Sequence, residues 1–317
     1  MSGPNDPQEM EGLVGAAYAR RCLVLSEGRE WECAVGGRLL RKGSLVAGDR
    51  VRFLPGAEGL GTIREVHPRS TVLERPQVGR ERSSNARFGR SVSLQPLAAN
   101  VDQLVVVSSL HEPPFRVGLV ERILVAAARA DLLPLIHITK LDLDTDDAFR
   151  GWQEHFAGLN IPVLGSDIIH PDTLAPLKEA LVGKISVLVG HSGVGKTTLL
   201  NAIAGTTLAV GEVAPYHQRG RHTTSTARLV PLPDGGWVID SPGIREFGLS
   251  GVAAADLARY FPGMEPFLGE CAFRDCCHRT ESGCSVRAAV ADGRYPAERY
   301  DGYLKLLQEV SGESGRS

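Results

Sequence analysis

The chain has 317 residues, 43% of them hydrophobic and 23% charged, with a formal net charge of −2. That length allows two or three domains with cores of their own, and the composition is that of a soluble globular protein. No apolar run approaches the roughly 20 residues needed to cross a bilayer, and the near-neutral balance argues against a nucleic-acid-binding coat over the whole surface. The first 20 residues include Asp6, Glu9 and Glu11 and hold no apolar block of the kind a secretion signal needs, so the reading is a cytoplasmic protein.

Residues 1–11 read as disordered. From about Leu13 to Leu73, short apolar or alternating runs are broken by glycine: Arg21 to Leu25, Trp31 to Val35, Arg50 to Phe53 and Gly61 to Val66. This spacing predicts a small all-β barrel or sandwich over residues 1–75, and with Trp31 it fits an OB barrel. Cys22 and Cys33 are expected as core positions on adjacent strands. Aromatic residues are few (Tyr18, Trp31, Phe53), so RNA contact there would rest on phosphate and shape more than on stacking.

Residues 76–97 read as a basic linker. Between Gly61 and Gln95, Arg64, Arg69, Arg75, Arg80, Arg82, Arg87 and Arg90 stand against Glu65, Glu74 and Glu81, a local positive excess suited to phosphate contact. Residues 98–250 then alternate. Strands are predicted at Val101 to Leu110, Pro134 to Thr139, Ile161 to Leu164, Lys184 to Val189, Ala227 to Leu232 and Trp237 to Asp240. Helices are predicted at Leu119 to Ala130, near Asp146 to Gly158, near Leu174 to Leu181 and from Lys196 to about Ala204. Such alternation means a mostly parallel sheet with helices on both faces. Residues 251–317 read as a small helical module, with helices near Ala253 to Tyr260, Ser285 to Ala291 and Ala297 to Val310 around a cysteine cluster.

The stretch Gly190-His191-Ser192-Gly193-Val194-Gly195-Lys196-Thr197, followed by Thr198, lies between a predicted strand and a helix. Glycines there let backbone N–H groups turn toward an anion at a helix N-terminus, while Lys196 reaches the β and γ phosphates and the Thr197 hydroxyl completes a Mg²⁺ shell. About 45 residues later, Asp240-Ser241-Pro242-Gly243 ends a strand. Asp240 there would hold Mg²⁺ through water and the Gly243 N–H would sense the γ-phosphate. Between them Gly220-Arg221-His222-Thr223-Thr224 stands where a switch loop belongs, and either Thr223 or Thr224, with Thr224 preferred, would close over Mg²⁺. Upstream, Thr139-Lys140-Leu141-Asp142 ends a strand, where ligands bind in open α/β sheets. Asp142 accepts from guanine N1 and N2 hydrogens together, and the Lys140 stem lies along the ring; Thr139 stands where asparagine is usual. Gly165-Ser166-Asp167 is placed to offer a backbone N–H to the guanine carbonyl. The base-reading element thus precedes the phosphate loop, the reverse of the ordinary GTPase order.

Cys271, Cys276, His278 and Cys284 form a C-x4-C-x-H-x5-C set able to fill a tetrahedral Zn²⁺ shell, with Cys277 adjacent and chemically competent. Four protein ligands leave no open position, so such a site is structural. A redox cluster or a disulfide pair is the alternative.

The permuted order, the His-Thr-Thr run, the opening Ala99-Asn100-Val101-Asp102-Gln103 and the cysteine spacing together resemble the bacterial ribosome small subunit-dependent GTPase A family over nearly the whole chain. The resemblance implies an OB-fold domain, a circularly permuted P-loop GTPase domain and a zinc domain whose ligands are Cys271, Cys276, His278 and Cys284, with Cys277 a bystander. It implies binding of GTP and GDP with Mg²⁺, binding to the 30S subunit and its 16S rRNA late in maturation, and hydrolysis stimulated by that subunit. A monomer with no membrane partner is expected. Ile244 occupies the position after Gly243 where a water-orienting glutamine would stand, so slow intrinsic hydrolysis is predicted. His222, in the switch stretch, is the candidate to orient water in its place, with contact to RNA or local packing as its alternative role. The competing readings are a permuted GTPase acting on another RNA particle and a nucleotide-holding RNA-binding adaptor with negligible turnover.

Overall fold

The computed structural model describes residues 8–41, 43–76, 94–206, 227–240, 249 and 251–312. Five strands open the chain, β1 (Met10–Ala17), β2 (Arg21–Ser26), β3 (Arg29–Ala34), β4 (Arg50–Pro55) and β5 (Leu60–Val66), with the single-turn helix α1 (Gly37–Leu40) before β4. They pair in the order β1-β2-β3-β5-β4, and β4 returns to β1, closing a five-strand barrel. Alternation along the strands turns Val14, Val24, Val51, Phe53 and Ile63 into its core. Cys22 and Cys33 face each other across β2 and β3 as buried free thiols. Burial pushes the first up to about 12 and the second to about 11, so neither is a reactive thiolate. Gly61 has no room for a side chain: a Cβ would stand 2.8 Å from the Cys33 sulfur and 3.0 Å from the Phe53 ring.

Met10 and Glu11 are strand, not disordered as the sequence suggested, because they pair with Phe53 and Arg52 of β4. Pro76 and residues 94–97 of the expected linker are strand instead. Strand β6 (Val72–Pro76) pairs antiparallel with β7 (Leu94–Ala99), and residues 77–93 lie outside the described residues. Asn100, at φ 53, joins the hairpin to the barrel: its Nδ2 donates to the Gly48 carbonyl at 2.8 Å and its Oδ1 accepts from Ser70 N at 2.9 Å. Asp49, whose side chain is wholly enclosed, accepts from Val46 N and from Arg69 Nε and Nη2 at 2.7 to 2.9 Å.

The α/β elements follow: β8 (Gln103–Ser109), α2 (Val117–Arg129), β9 (Leu133–Thr139), α3 (Ala148–Ala157), β10 (Val163–Gly165), α4 (Ala175–Leu181), β11 (Ile185–Val189), α5 (Lys196–Ala204), β12 (Arg228–Pro231) and β13 (Trp237–Asp240). The pairs β9–β10 and β11–β13 are parallel, while β12 closes antiparallel on β13. The chain ends with α6 (Leu257–Tyr260), preceded by a short 3₁₀ turn, then α7 (Ser285–Ala291) and α8 (Ala297–Val310). Two compact units result. Met1–Gln103, Ala175–Leu188 and Thr197–Glu246 form one; Leu104–Leu174, Val189–Lys196 and Phe247–Ser317 form the other. Among the described residues no helix is long and apolar enough to cross a membrane.

In the second unit the C-terminal helices gather around Leu257, Phe261, Met264, Val286, Tyr303 and Leu307, and Val125 of α2 belongs to the same core. Beside it α2 buries Glu121, 3% exposed, beneath Gly302 of α8, where any side chain would run into the carboxylate. Arg299, equally buried, lies with its guanidinium 5.1 Å from the centre of the Phe156 ring and donates from Nη2 to the His155 carbonyl at 3.2 Å.

Burial pushes Glu121 up to about 7, against the opposing pull of Arg299 and Lys305. Folding therefore takes up a proton: the group's stabilising contribution is complete below the ordinary glutamate range and is lost as pH rises through about 7. The melting temperature of wild type relative to Glu121→Gln should fall between pH 5 and pH 8. Parallel melting profiles for the two proteins over that range would refute this account of α2 and α8.

Candidate functional site

The phosphate-loop segment leaves β11 and enters α5. Gly190 lies flush against β8, so a Cβ there would overlap the Val107 carbonyl oxygen. Gly193 and Gly195 adopt φ of +85° and +86°, left-handed conformations that suit glycine. Lys196 turns back over its own loop, Nζ donating to the Gly190 carbonyl at 2.8 Å and the His191 carbonyl at 2.6 Å. The Lys196 ammonium is thereby tied to the carbonyls of its own loop. Ser192, Gly193 and Thr198 are exposed, Val194 is buried, and His191 and Thr197 are half-buried.

The Thr139–Asp142 tetrapeptide stands beside this loop. The Thr139 hydroxyl, buried, approaches the Val194 carbonyl at 2.6 Å and the Ser108 carbonyl at 3.1 Å, so its one hydrogen is shared between phosphate loop and β8. Lys140 adopts φ 60°, turning the chain sharply after β9, and its Nζ donates to the Glu112 carbonyl. Asp142 is exposed on the short turn Leu141–Leu143.

Ser166, after β10, completes the group. Its N–H donates to the Ile138 carbonyl at 2.9 Å and its carbonyl accepts from Leu141 N at 3.3 Å. The Asp167 N–H goes to Thr173 Oγ1 at 3.2 Å, and the Asp167 carboxylate accepts from His170 N at 2.6 Å. Sequence reasoning missed His137, which is wholly enclosed in β9 with Nε2 2.8 Å from Ser166 Oγ. Burial pushes its imidazole down to about 4, so it is neutral at physiological pH. One signal was available: a histidine interrupting the otherwise apolar Leu135-Ile136-His137-Ile138.

Asp240 ends β13, and nothing beyond its backbone is described. His222, Thr223, Thr224, Gly243 and Ile244 lie outside the described residues.

The cysteine cluster is assembled on the loop between α6 and α7, with Cys284 at the start of α7. His278 Nδ1 lies 3.4 Å from the Cys271 sulfur, 3.5 Å from Cys276 and 3.4 Å from Cys284, and the Cys271 and Cys284 sulfurs are 4.0 Å apart. A metal about 2.3 Å from each sulfur and about 2.0 Å from nitrogen, at the centre of a tetrahedron, sets its donors roughly 3.5–3.8 Å apart. The four donors therefore fit a tetrahedral ion. Cys277 stands outside the set, its thiol donating to the Asp275 carbonyl. Tyr303 donates to the Cys277 carbonyl at 2.7 Å and Tyr300 to the His278 carbonyl at 2.6 Å, so α8 braces the cluster from behind. A second grouping, His111 with Asp144 and Asp146, is of another kind, since Asp144 caps α3 by accepting from Ala148 N and Phe149 N.

A P-loop nucleotide site whose base-side element comes earlier in the chain defines a circularly permuted GTPase. The sequence profile of the family described as RsgA GTPase matches residues 66–250. A protein of Moorella thermoacetica described as small ribosomal subunit biogenesis GTPase RsgA is 38% identical over 303 residues, 95% of this chain and 97% of that one. A protein of the same description from Klebsiella pneumoniae subsp. pneumoniae is 38% identical over 314 residues, 95% of this chain and 84% of the other. The crystal structure of YjeQ from Thermotoga maritima superposes with a TM-score of 0.77 at 30% identity, covering 98% of this chain and 100% of that one. YloQ, described as a circularly permuted GTPase, gives 0.77 at 28% identity, with both chains fully covered. The chain belongs to the RsgA GTPase family and is a GTP hydrolase, which implies Mg²⁺ with GTP.

The close approach at Gly190 carries an expected outcome. In Gly190→Ala the added carbon has to displace backbone, an overpacking cost of about 1–3 kcal/mol. GDP affinity should fall roughly tenfold or more, measured by titrating a fluorescent GDP analogue. Unchanged affinity would mean that the loop does not need its seat on β8 to bind nucleotide.

Proposed function

We propose that this protein acts in biogenesis of the small (30S) ribosomal subunit, binding the subunit and its 16S rRNA and hydrolysing GTP as a timed step late in maturation. The carrying observation is the 38% identity, over 95% of the chain, to a protein described as a small ribosomal subunit biogenesis GTPase. Its expected setting is the cytoplasm, as a monomer. In this reading the chain comprises an N-terminal OB-fold domain, a basic linker within 77–93, the permuted GTPase domain up to about 250 and a zinc-binding helical domain over 251–317.

Each part of the site takes a role. Backbone N–H groups from Gly190 to Thr198 cradle phosphate, Lys196 neutralises the β and γ charges, and Thr197 binds Mg²⁺. Asp142 reads the guanine edge, Lys140 covers the ring, and Thr139 links the base side to the phosphate loop. That link is supported by its hydrogen bond to Val194. Asp240 would help hold Mg²⁺, Gly243 would sense the γ-phosphate, and Thr224 or Thr223 would close the switch. Ile244 leaves the position after Gly243 without a group able to orient water, so His222 supplies it once the subunit is bound. Cys271, Cys276, His278 and Cys284 hold one structural Zn²⁺, a reading supported by the near-tetrahedral spacing of their donors.

Two measurements test the proposal. GTP turnover should be slow alone and rise roughly a hundredfold or more with purified 30S subunits, and His222→Ala should lose most of that rise while still binding nucleotide. Stimulation by another RNA particle alone would redirect the assignment, absence of any would indicate a nucleotide-holding adaptor, and a variant fully stimulated by the subunit would remove His222 from the mechanism. Metal analysis should find one zinc per chain in wild type and in Cys277→Ser and little in Cys276→Ser. Zinc lost equally from both variants would overturn the ligand set.

A further inference from the structure

Strand β9 is an aliphatic run in which position 137 calls for valine or isoleucine. His137 is instead fully buried, as are its strand neighbours Ile136 and Ile138. Burying an imidazole is costly unless it makes a specific hydrogen bond, and this one makes it to Ser166 Oγ at 2.8 Å. Ser166 is the residue at which two loops meet. Its N–H is held by Ile138, its carbonyl holds Leu141 of the Thr139–Asp142 turn, and its hydroxyl is held by His137.

We propose that His137 is a positioning residue for base recognition, a buried peg that fixes the Ser166 loop against the Thr139–Asp142 turn. The proposal rests on the reading of those two loops as the guanine-binding side of the site. His137 Nδ1 has no partner. A lone pair left alone is cheaper than an unpartnered N–H, so Nε2 carries the hydrogen and donates it to Ser166 Oγ. The serine's own hydrogen is then uncommitted. An aliphatic residue at 137 would fill the space and leave the loop unanchored, so the side of the base carrying the C6 carbonyl would lose its fixed wall. The edge read by Asp142 would not be altered.

That division makes the role measurable with fluorescent GDP, IDP and ADP analogues on the full-length protein. In His137→Leu and in Ser166→Ala, affinity for GDP and for IDP should fall together by roughly five- to tenfold, the loss of about one buried hydrogen bond. Affinity for ADP, which lacks the carbonyl, should change little. His137→Gln, which places an amide N–H near the same point, should recover most of the loss. The double variant His137→Leu/Ser166→Ala should be no weaker than either single one, because both remove one bond. Ser166→Ala keeps the test decisive if His137→Leu fails to fold, since it removes the bond with no change of core volume. A fall in melting temperature with the GDP-to-ADP ratio intact, or an equal loss for all three nucleotides, would overturn the proposal. If the wild-type protein does not prefer GDP to ADP, the assignment of the base site itself fails instead.

Discussion

The hydrogen bond from the Thr139 hydroxyl to the Val194 carbonyl is the tie on which the site's geometry turns. It joins a residue at the end of β9 to one in the phosphate loop 55 positions later, with the hydroxyl also 3.1 Å from the Ser108 carbonyl of β8. In the proposed reading of these two loops as base side and phosphate side, they have to be a fixed distance apart to hold one nucleotide, and neither loop can set that distance alone. The tie is tertiary, so it does not depend on which loop comes first along the chain. This is the physical reason that a permuted order can build a working site: a sheet cut and rejoined elsewhere retains every such contact.

The tie uses a hydroxyl where the wider GTPase class has an amide. A threonine has one hydrogen to give, and here it is spent within the protein. The remaining organisation of the base side falls to backbone and to Ser166. That residue is bonded at its N–H, its carbonyl and its hydroxyl, and His137 beneath it is sealed from solvent. On the proposed reading, the polar groups under the base side are thus held within the protein already, and binding need not order them.

Most strands and helices were legible because their signals are local. Alternation marked the barrel strands, and the buried run of β8 and the helical period of α2 fell where the sequence put them. The grouping of Cys271, Cys276, His278 and Cys284 was legible for the same reason, since all four lie inside fourteen consecutive residues. What stayed hidden are side chains whose meaning depends on a distant neighbour. Glu121 reads as the solvent side of an amphipathic helix, and only α8 closing over it with Gly302 makes it a buried acid. Met10 and Glu11 look like tail until β4 pairs with them. Asp49 has no sequence signature that would match it with Arg69, twenty positions on.

Helix α2 is where these threads meet. Leu119, Val120 and Ile123 line a hollow shared with Gly190, His191 and Val194 of the phosphate loop, while Val125 is part of the C-terminal core. Thirteen residues of α-helix span about 20 Å, so one helix lies against both the Gly190–Val194 loop and the C-terminal core. At the α8 contact the helix carries Glu121 near Arg299, two buried ionisable side chains that an apolar pair would replace at lower cost. An apolar contact between helices slides easily along its ridges. A carboxylate lodged under a glycine, with a guanidinium stacked on Phe156 beside it, has one register. The buried polar contact thus fixes the register of α2 against α8, with Gly302 seated over Glu121.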